Sequence, residues 1–203
     1  MKTGARPTFT RSEQMPQQDQ RIIKADALPY RELNERIRTN VRDGIRRIRI
    51  NNTCGQRYIG AGLTEGVELE IHGTPGNDMA CFMNGAHIEV HGNVQDGVGN
   101  TMNAGRITVH GGAGDILGYS MRGGRIMVRG GVGYRAGIHM KAYGEKHPVV
   151  VVGGTAGDYL GEYMAGGVLV VLGLGDDGQP VDSVPVGEYV GTGMHGGAIY
   201  VRS

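Results

Sequence analysis

Tryptophan is absent from this 203-residue chain, phenylalanine occurs twice, and aromatic residues make up only 5%. A sugar-binding groove lined by large aromatic rings is therefore poorly provided for. Cysteine is equally scarce: Cys54 and Cys81 form no CxxC pair and offer no disulfide framework. Net charge is only +1, so nothing marks a nucleic-acid surface. No apolar run approaches the roughly 18 residues of a membrane span. The opening MKTGARPTFTRSEQMPQQDQ has no apolar signal-peptide core. A cytoplasmic protein without nucleic-acid or membrane partners is expected. Proline is limited to 7 residues and glycine follows no period of three, which excludes collagen.

What the chain has in excess is glycine, 38 of 203 residues, and its placement is periodic. ELEIHG ends at Gly73, IEVHG at Gly92, ITVHG at Gly111 and IMVRG at Gly130, 19 residues apart each time. Met83, Met102, Met121 and Met140 keep the same spacing, as do Gly99, Gly118 and Gly137. Two strand columns run in step: Ile71, Val90, Val109, Val128, and Leu69, Ile88, Ile107, Ile126. After what reads as a four-residue insertion the pattern resumes with VVVVGG around Val151 and VLVVLG around Val171. AIYV, ending at Val201, follows a longer insertion, and IRI at 48–50 supplies an earlier strand.

A unit of this length is too short for a helix pair and cannot bury its own apolar face, so the units must stack. The sequence predicts an all-β, right-handed parallel β-helix of about seven rungs, roughly 34 Å tall at about 4.8 Å per rung. The right-handed form is preferred because left-handed hexapeptide solenoids favour multiples of six. Residues 1–20 read as a disordered polar tail. Residues 21–44 read as a helical cap, with Pro29 near its first turn and Gly44 just past its end. Residues 45–203 form the β-helix domain.

Each group able to carry chemistry has a structural reading beside the functional one. His72, His91 and His110 share a register and should form an outward ladder, with neighbouring rings about 5 Å apart. The ladder is either a shared metal site or a solvated column, and Arg129 as its fourth member favours the second. Asp96 and Asp115 share a register, with Asp78 and Asp158 read one position off. Stacked carboxylates would suit a polysaccharide lyase or hydrolase, but glycine-rich corners are where Asp commonly binds backbone amides. Glu70 and Glu89 stack with like charge and are expected to be relieved by Arg106 and Arg125. The glycine pairs recur with the rung rather than opening one strand-to-helix turn, so they fail the context of a phosphate loop. Cys54 has no ligand or base nearby in sequence and reads as a buried or idle thiol. No catalytic, cofactor-binding or metal-binding residue is assigned.

The repeat G-x-x-G-x-x-x-G-x-x-M-x-G-G-x-I-x-V resembles the GXGXG domain, the C-terminal β-helix domain of the glutamate synthase large subunit. The same domain type occurs in a scaffold subunit of formylmethanofuran dehydrogenase. IRINNTCGQRYIGAGLTEGVELEIHG (48–73), GEYMAGGVLVVLG (161–173) and YVGTGMHGGAIYV (189–201) resemble the glutamate synthase branch. The resemblance implies a non-catalytic structural subunit of a glutamate synthase-like or N-methylglutamate synthase-like complex. Its partners would be a glutamine amidotransferase subunit and a synthase subunit with FMN and an iron–sulfur cluster, with ammonia passing between them. This chain itself would bind no cofactor. A formylmethanofuran dehydrogenase-type scaffold is the alternative within the family, and a free-standing polysaccharide enzyme the alternative outside it. The helix at 29–43 and the insertions at 141–147 and 174–188 are the expected contact elements. An uncovered solenoid end makes self-association of the isolated chain an expectation too.

Overall fold

The computed structural model describes residues 20–203; the polar tail expected at 1–20 lies, apart from Gln20, outside the described residues. One parallel sheet of nine strands runs through it in sequential order. The strands are β1 (Gln20–Lys24), β2 (Arg47–Cys54), β3 (Glu68–Thr74), β4 (Asn84–His91), β5 (Ala104–Val109), β6 (Arg125–Val128), β7 (Val149–Val152), β8 (Ala165–Val171) and β9 (Gly196–Val201). The 19-residue columns are real pairings: Ile71 pairs with Val90, Val90 with Val109 and Val109 with Val128. These inward side chains are almost wholly buried, and Met83, Met102, Met121 and Met140 stack beside them with no exposure. Met164 continues that column. A flexible thioether fills the irregular gaps between successive turns that a branched side chain would leave.

Glycine has its place in the arches that return the chain from strand to strand. Each arch puts alternate residues at positive φ, as at Ile116, Gly118 and Ser120 with φ of +51°, +67° and +52°. At Gly137 the demand is double. Its φ is +73°, and a Cβ there would stand 2.9 Å from both methyls of Leu169. Only a residue without a side chain meets both conditions.

The result is a β-solenoid of about six turns rather than seven. Strands outnumber turns because a turn closes only with its arch and a second, shorter ladder. That ladder joins Val94, Ala113, Val132, Ala156 and Val186, and does not extend back to the first strands. The segment read as a helical cap contains a strand as well: β1 pairs with β2 from Gln20↔Arg47 to Lys24↔Asn51. The repeat signature is missing there, because β1 is followed by a helix, not by a glycine arch.

That helix, α1 (Tyr30–Arg42), starts after Pro29 and stops before Gly44 at φ +89°. Its buried residues Leu33 and Ile37 join the core of the solenoid. Asn34 fixes the docking by donating to the Arg57 carbonyl at 2.8 Å. α1 thus covers the apolar interior at the first end of the column, while β1 remains the edge strand of the sheet.

Two register details differ from the sequence reading. Val128 pairs with Val152, 24 residues on, so the first insertion adds five residues and not four. Asp158 therefore stands in register with Asp96 and Asp115, not one position off. The second insertion is also shorter than 174–188. Val186 bridges to Ala156, and Glu188 donates to Asp158, so the segment from Val186 onward belongs to the last turn.

Candidate functional site

The outward face of the sheet carries the chemistry of this chain, and it divides into two halves. In register across β2 to β5 stand Arg49, Glu70, Glu89 and Thr108, with Arg47, Glu68, His87 and Arg106 alongside. Across β6 to β9 the same two columns become Met127, Val151, Val170, Tyr200 and Arg125, Val149, Val168, Ala198. The charged half gives way to an apolar half, with Arg125 on β6 the last charged member of the two columns. VVVV at 149–152 and VLVV at 168–171 carried the signal, since an unbroken apolar run marks a strand covered on both faces. Sequence reasoning took these runs for repeat strands only and missed the second apolar face.

The histidine ladder is outward, as expected. His72 and His91 stack with ring centroids 4.6 Å apart and planes at 15°, and His91 and His110 at 4.9 Å and 7°. Glu70 lies beneath the first pair, 2.9 Å from His72 Nε2 through Oε1, while Arg49 holds Oε2 at 2.9 Å. Partial burial pushes the Glu70 carboxyl up, but the hydrogen bonds from His72 and Arg49 and the charge of Arg49 outweigh it. The net effect holds Glu70 below its ordinary value. His110 Nε2 meets Glu89 Oε1 at 2.7 Å. The relief expected from Arg106 and Arg125 is thus supplied by Arg49 and His110. Glu70 with His72 and His91, or Glu89 with His91 and His110, are the groups able to hold a metal among the described residues.

The aspartates do not face a cleft as a catalytic pair. Asp96 accepts the backbone N–H of Asp115 at 2.9 Å, Asp115 that of Tyr134 at 2.8 Å, and Asp158 that of Glu188 at 2.8 Å. Each carboxylate is a rung-to-rung clamp. Asp78, one position off this register, accepts instead from Asn100 Nδ2 at 3.1 Å. The glycine pairs likewise spend their amides on the neighbouring turn: Gly130 donates to Gly111 at 2.9 Å and Gly154 to Gly130 at 3.0 Å. These donors are therefore not aimed at a phosphate.

Cys54 is exposed at the end of β2 and Cys81 is buried. Burial, then the charge of Asp78, pushes the Cys81 thiol up to about 11, so it stays protonated and unreactive at neutral pH.

Aromatic residues gather on the arches near the apolar half. Tyr159 and Tyr189 stack at 4.9 Å, Arg135 lies 4.4 Å over the Tyr159 ring, and His139 stacks on Tyr163 at 5.3 Å. Tyr163 and Tyr189 are about half exposed. Next to β9, the second insertion forms an apolar cleft with Leu172, Val181, Val184 and Val201 in its walls. Among the described residues, no helix is long and apolar enough to cross a membrane.

Comparison with known proteins agrees with the periodicity. An uncharacterised protein of Methanocaldococcus jannaschii is 48% identical over 184 residues, which cover 89% of this chain and 70% of that relative. No solved structure matches. The model of the GXGXG motif family matches residues 20–203, a span that begins where β1 begins. The glycine arches, the methionine column and the stacked parallel strands are what that motif builds, and the chain belongs to the GXGXG motif family.

Proposed function

We propose that this chain is a non-catalytic structural subunit of a glutamate synthase-like complex. In that role it holds a glutamine amidotransferase subunit and a synthase subunit with FMN and an iron–sulfur cluster in fixed relative positions. Ammonia released by the first then reaches the second without entering bulk water. Family membership supports the reading, and one observation carries it: the apolar outward half of the sheet on β6 to β9.

Met127, Val149, Val151, Val168 and Val170 are half-buried and Tyr200 is exposed, and a continuous apolar strip on the outward side of a sheet is unusual unless something covers it. Met127, Tyr200 and Arg125 are of residue types enriched at protein interfaces. A stacked column suits the task, because every strand is hydrogen-bonded to its neighbours and the face cannot flex independently of the core. The carboxylates and glycine amides that would otherwise suggest an enzyme are occupied in holding successive turns together.

Reversing the polarity of this face tests the reading. The double variant Val151→Arg, Val170→Arg changes two outward residues and leaves the inward columns intact. It is expected to stay folded, with a somewhat lower melting temperature because the two like charges stand directly opposite across β7 and β8, while losing its partners in native co-purification. Full retention of the partners by the folded variant would show that this face does not dock them.

A further inference from the structure

The ends of β3 and β4 bring together three donors whose convergence the scaffold role does not use. His72 and His91 are directly paired in the sheet, and both turn Nε2 toward the same carboxylate oxygen. Oε1 of Glu70 lies 2.9 Å from His72 Nε2 and 3.6 Å from His91 Nε2. Its second oxygen is held by Arg49, so Oε1 is the atom left to ligate. An outer partner that orients a ligating carboxylate in this way is a regular feature of metal sites. The three donor atoms lie within 4.8 Å of one another. The two imidazoles are about 40% exposed, 41% for His72 and 37% for His91. They are thus free to make the small shifts that bring all three donors to the usual bonding distance of about 2.0–2.2 Å.

We propose that Glu70, His72 and His91 form a binding site for one first-row transition-metal dication, with water completing the coordination. Two imidazoles and one carboxylate suit zinc, nickel or copper, whereas magnesium and calcium select all-oxygen sets. The ladder takes one ion and not two, because His91 stands in both possible donor sets and offers one ligand atom. The set with Glu70 is the better one: its carboxylate is oriented by Arg49 and is less exposed than Glu89, 27% against 51%. A metal here joins two consecutive turns and leaves a position open for an outside donor. The site is independent of the scaffold role and stands or falls separately.

The test uses the tag-free full-length chain, stripped with chelator and titrated calorimetrically with zinc chloride in a non-coordinating buffer near pH 7.5. One equivalent binds, and saturation raises the melting temperature. His72→Asn, His91→Asn and Glu70→Gln each weaken binding by about tenfold or more, whereas His110→Asn leaves it within about threefold. All four positions are on the outward face, so metal-free melting temperatures confirm that each variant is folded. Affinity also falls as the buffer is acidified, because a ligating imidazole must be neutral. The assignment is overturned by any of three results: no saturable zinc binding by the parent, parent-like binding by His72→Asn and His91→Asn, or equal loss in His110→Asn.

Discussion

The Asp96 carboxylate accepts the backbone N–H of Asp115, its own counterpart one turn further along, at 2.9 Å. The same clamp recurs from Asp115 to Tyr134 and from Asp158 to Glu188. Each donor amide is preceded by a glycine, Gly114, Gly133 or Gly187, and a Cβ on that glycine would collide with the clamping oxygen. Glycine and aspartate therefore form one device repeated along the column: the first clears the space that the second fills.

Removing one clamp should destabilise the fold without touching any chemistry. Asp115→Ala leaves the exposed Tyr134 amide to water and is expected to cost about 0.5–1.5 kcal/mol. Asp115→Asn keeps an acceptor oxygen and should cost less. Chemical denaturation measures both. Equal stability of the alanine variant and the parent would show that the clamp contributes nothing.

The arches make a sharper prediction, because two glycines of one column differ in their surroundings. Gly118 has φ +67°, but the nearest atom to a Cβ placed there is Val150 Cγ2 at an ordinary 3.5 Å. Gly137 has φ +73° and two Leu169 methyls at 2.9 Å. Gly118→Ala should cost about 1–2 kcal/mol through backbone strain alone. Gly137→Ala adds overpacking of about 1–3 kcal/mol. Melting temperatures should fall in that order, and the reverse order would contradict the packing described for the arch.

Much of this was legible in the sequence because stacking forces identical demands on every turn. Met102 and Met121 are 19 residues apart since they occupy the same cell of the same column. The period stopped being readable where the device changed. β1 joins β2 through α1, so Gln20–Lys24 carries no glycine signature. The second ladder consists of isolated bridges such as Val94↔Ala113, too short for any alternation to show. The histidine ladder was visible by register, but its link to Glu70 and Arg49 was not. It depends on which way side chains of different columns lean across the sheet. The apolar outward half was written plainly in VVVV and VLVV, and its meaning emerged once the inward positions were known.

Glu70 gives the fold an acid-sensitive contact. Its folded-state value is held below the ordinary one by His72 and Arg49, so ionised Glu70 favours the folded chain. That contribution is complete above the ordinary carboxylate range and is lost as pH falls through the lower folded-state value. In chelator-treated protein, Glu70→Gln should therefore show a shallower loss of melting temperature on acidification than the parent. Parallel acid limbs would mean that Glu70 is not linked to folding.

The scaffold role requires above all that this column be covered by partners. The decisive measurement is native purification of the chain from its own source, with co-purifying chains identified by mass and the visible spectrum recorded. The expected result is a yellow-brown complex of this chain with an amidotransferase subunit and a second partner holding FMN and an iron–sulfur cluster. Partners with molybdenum or tungsten would contradict the glutamate synthase-like role while keeping the scaffold. A colourless protein recovered alone would contradict the scaffold itself.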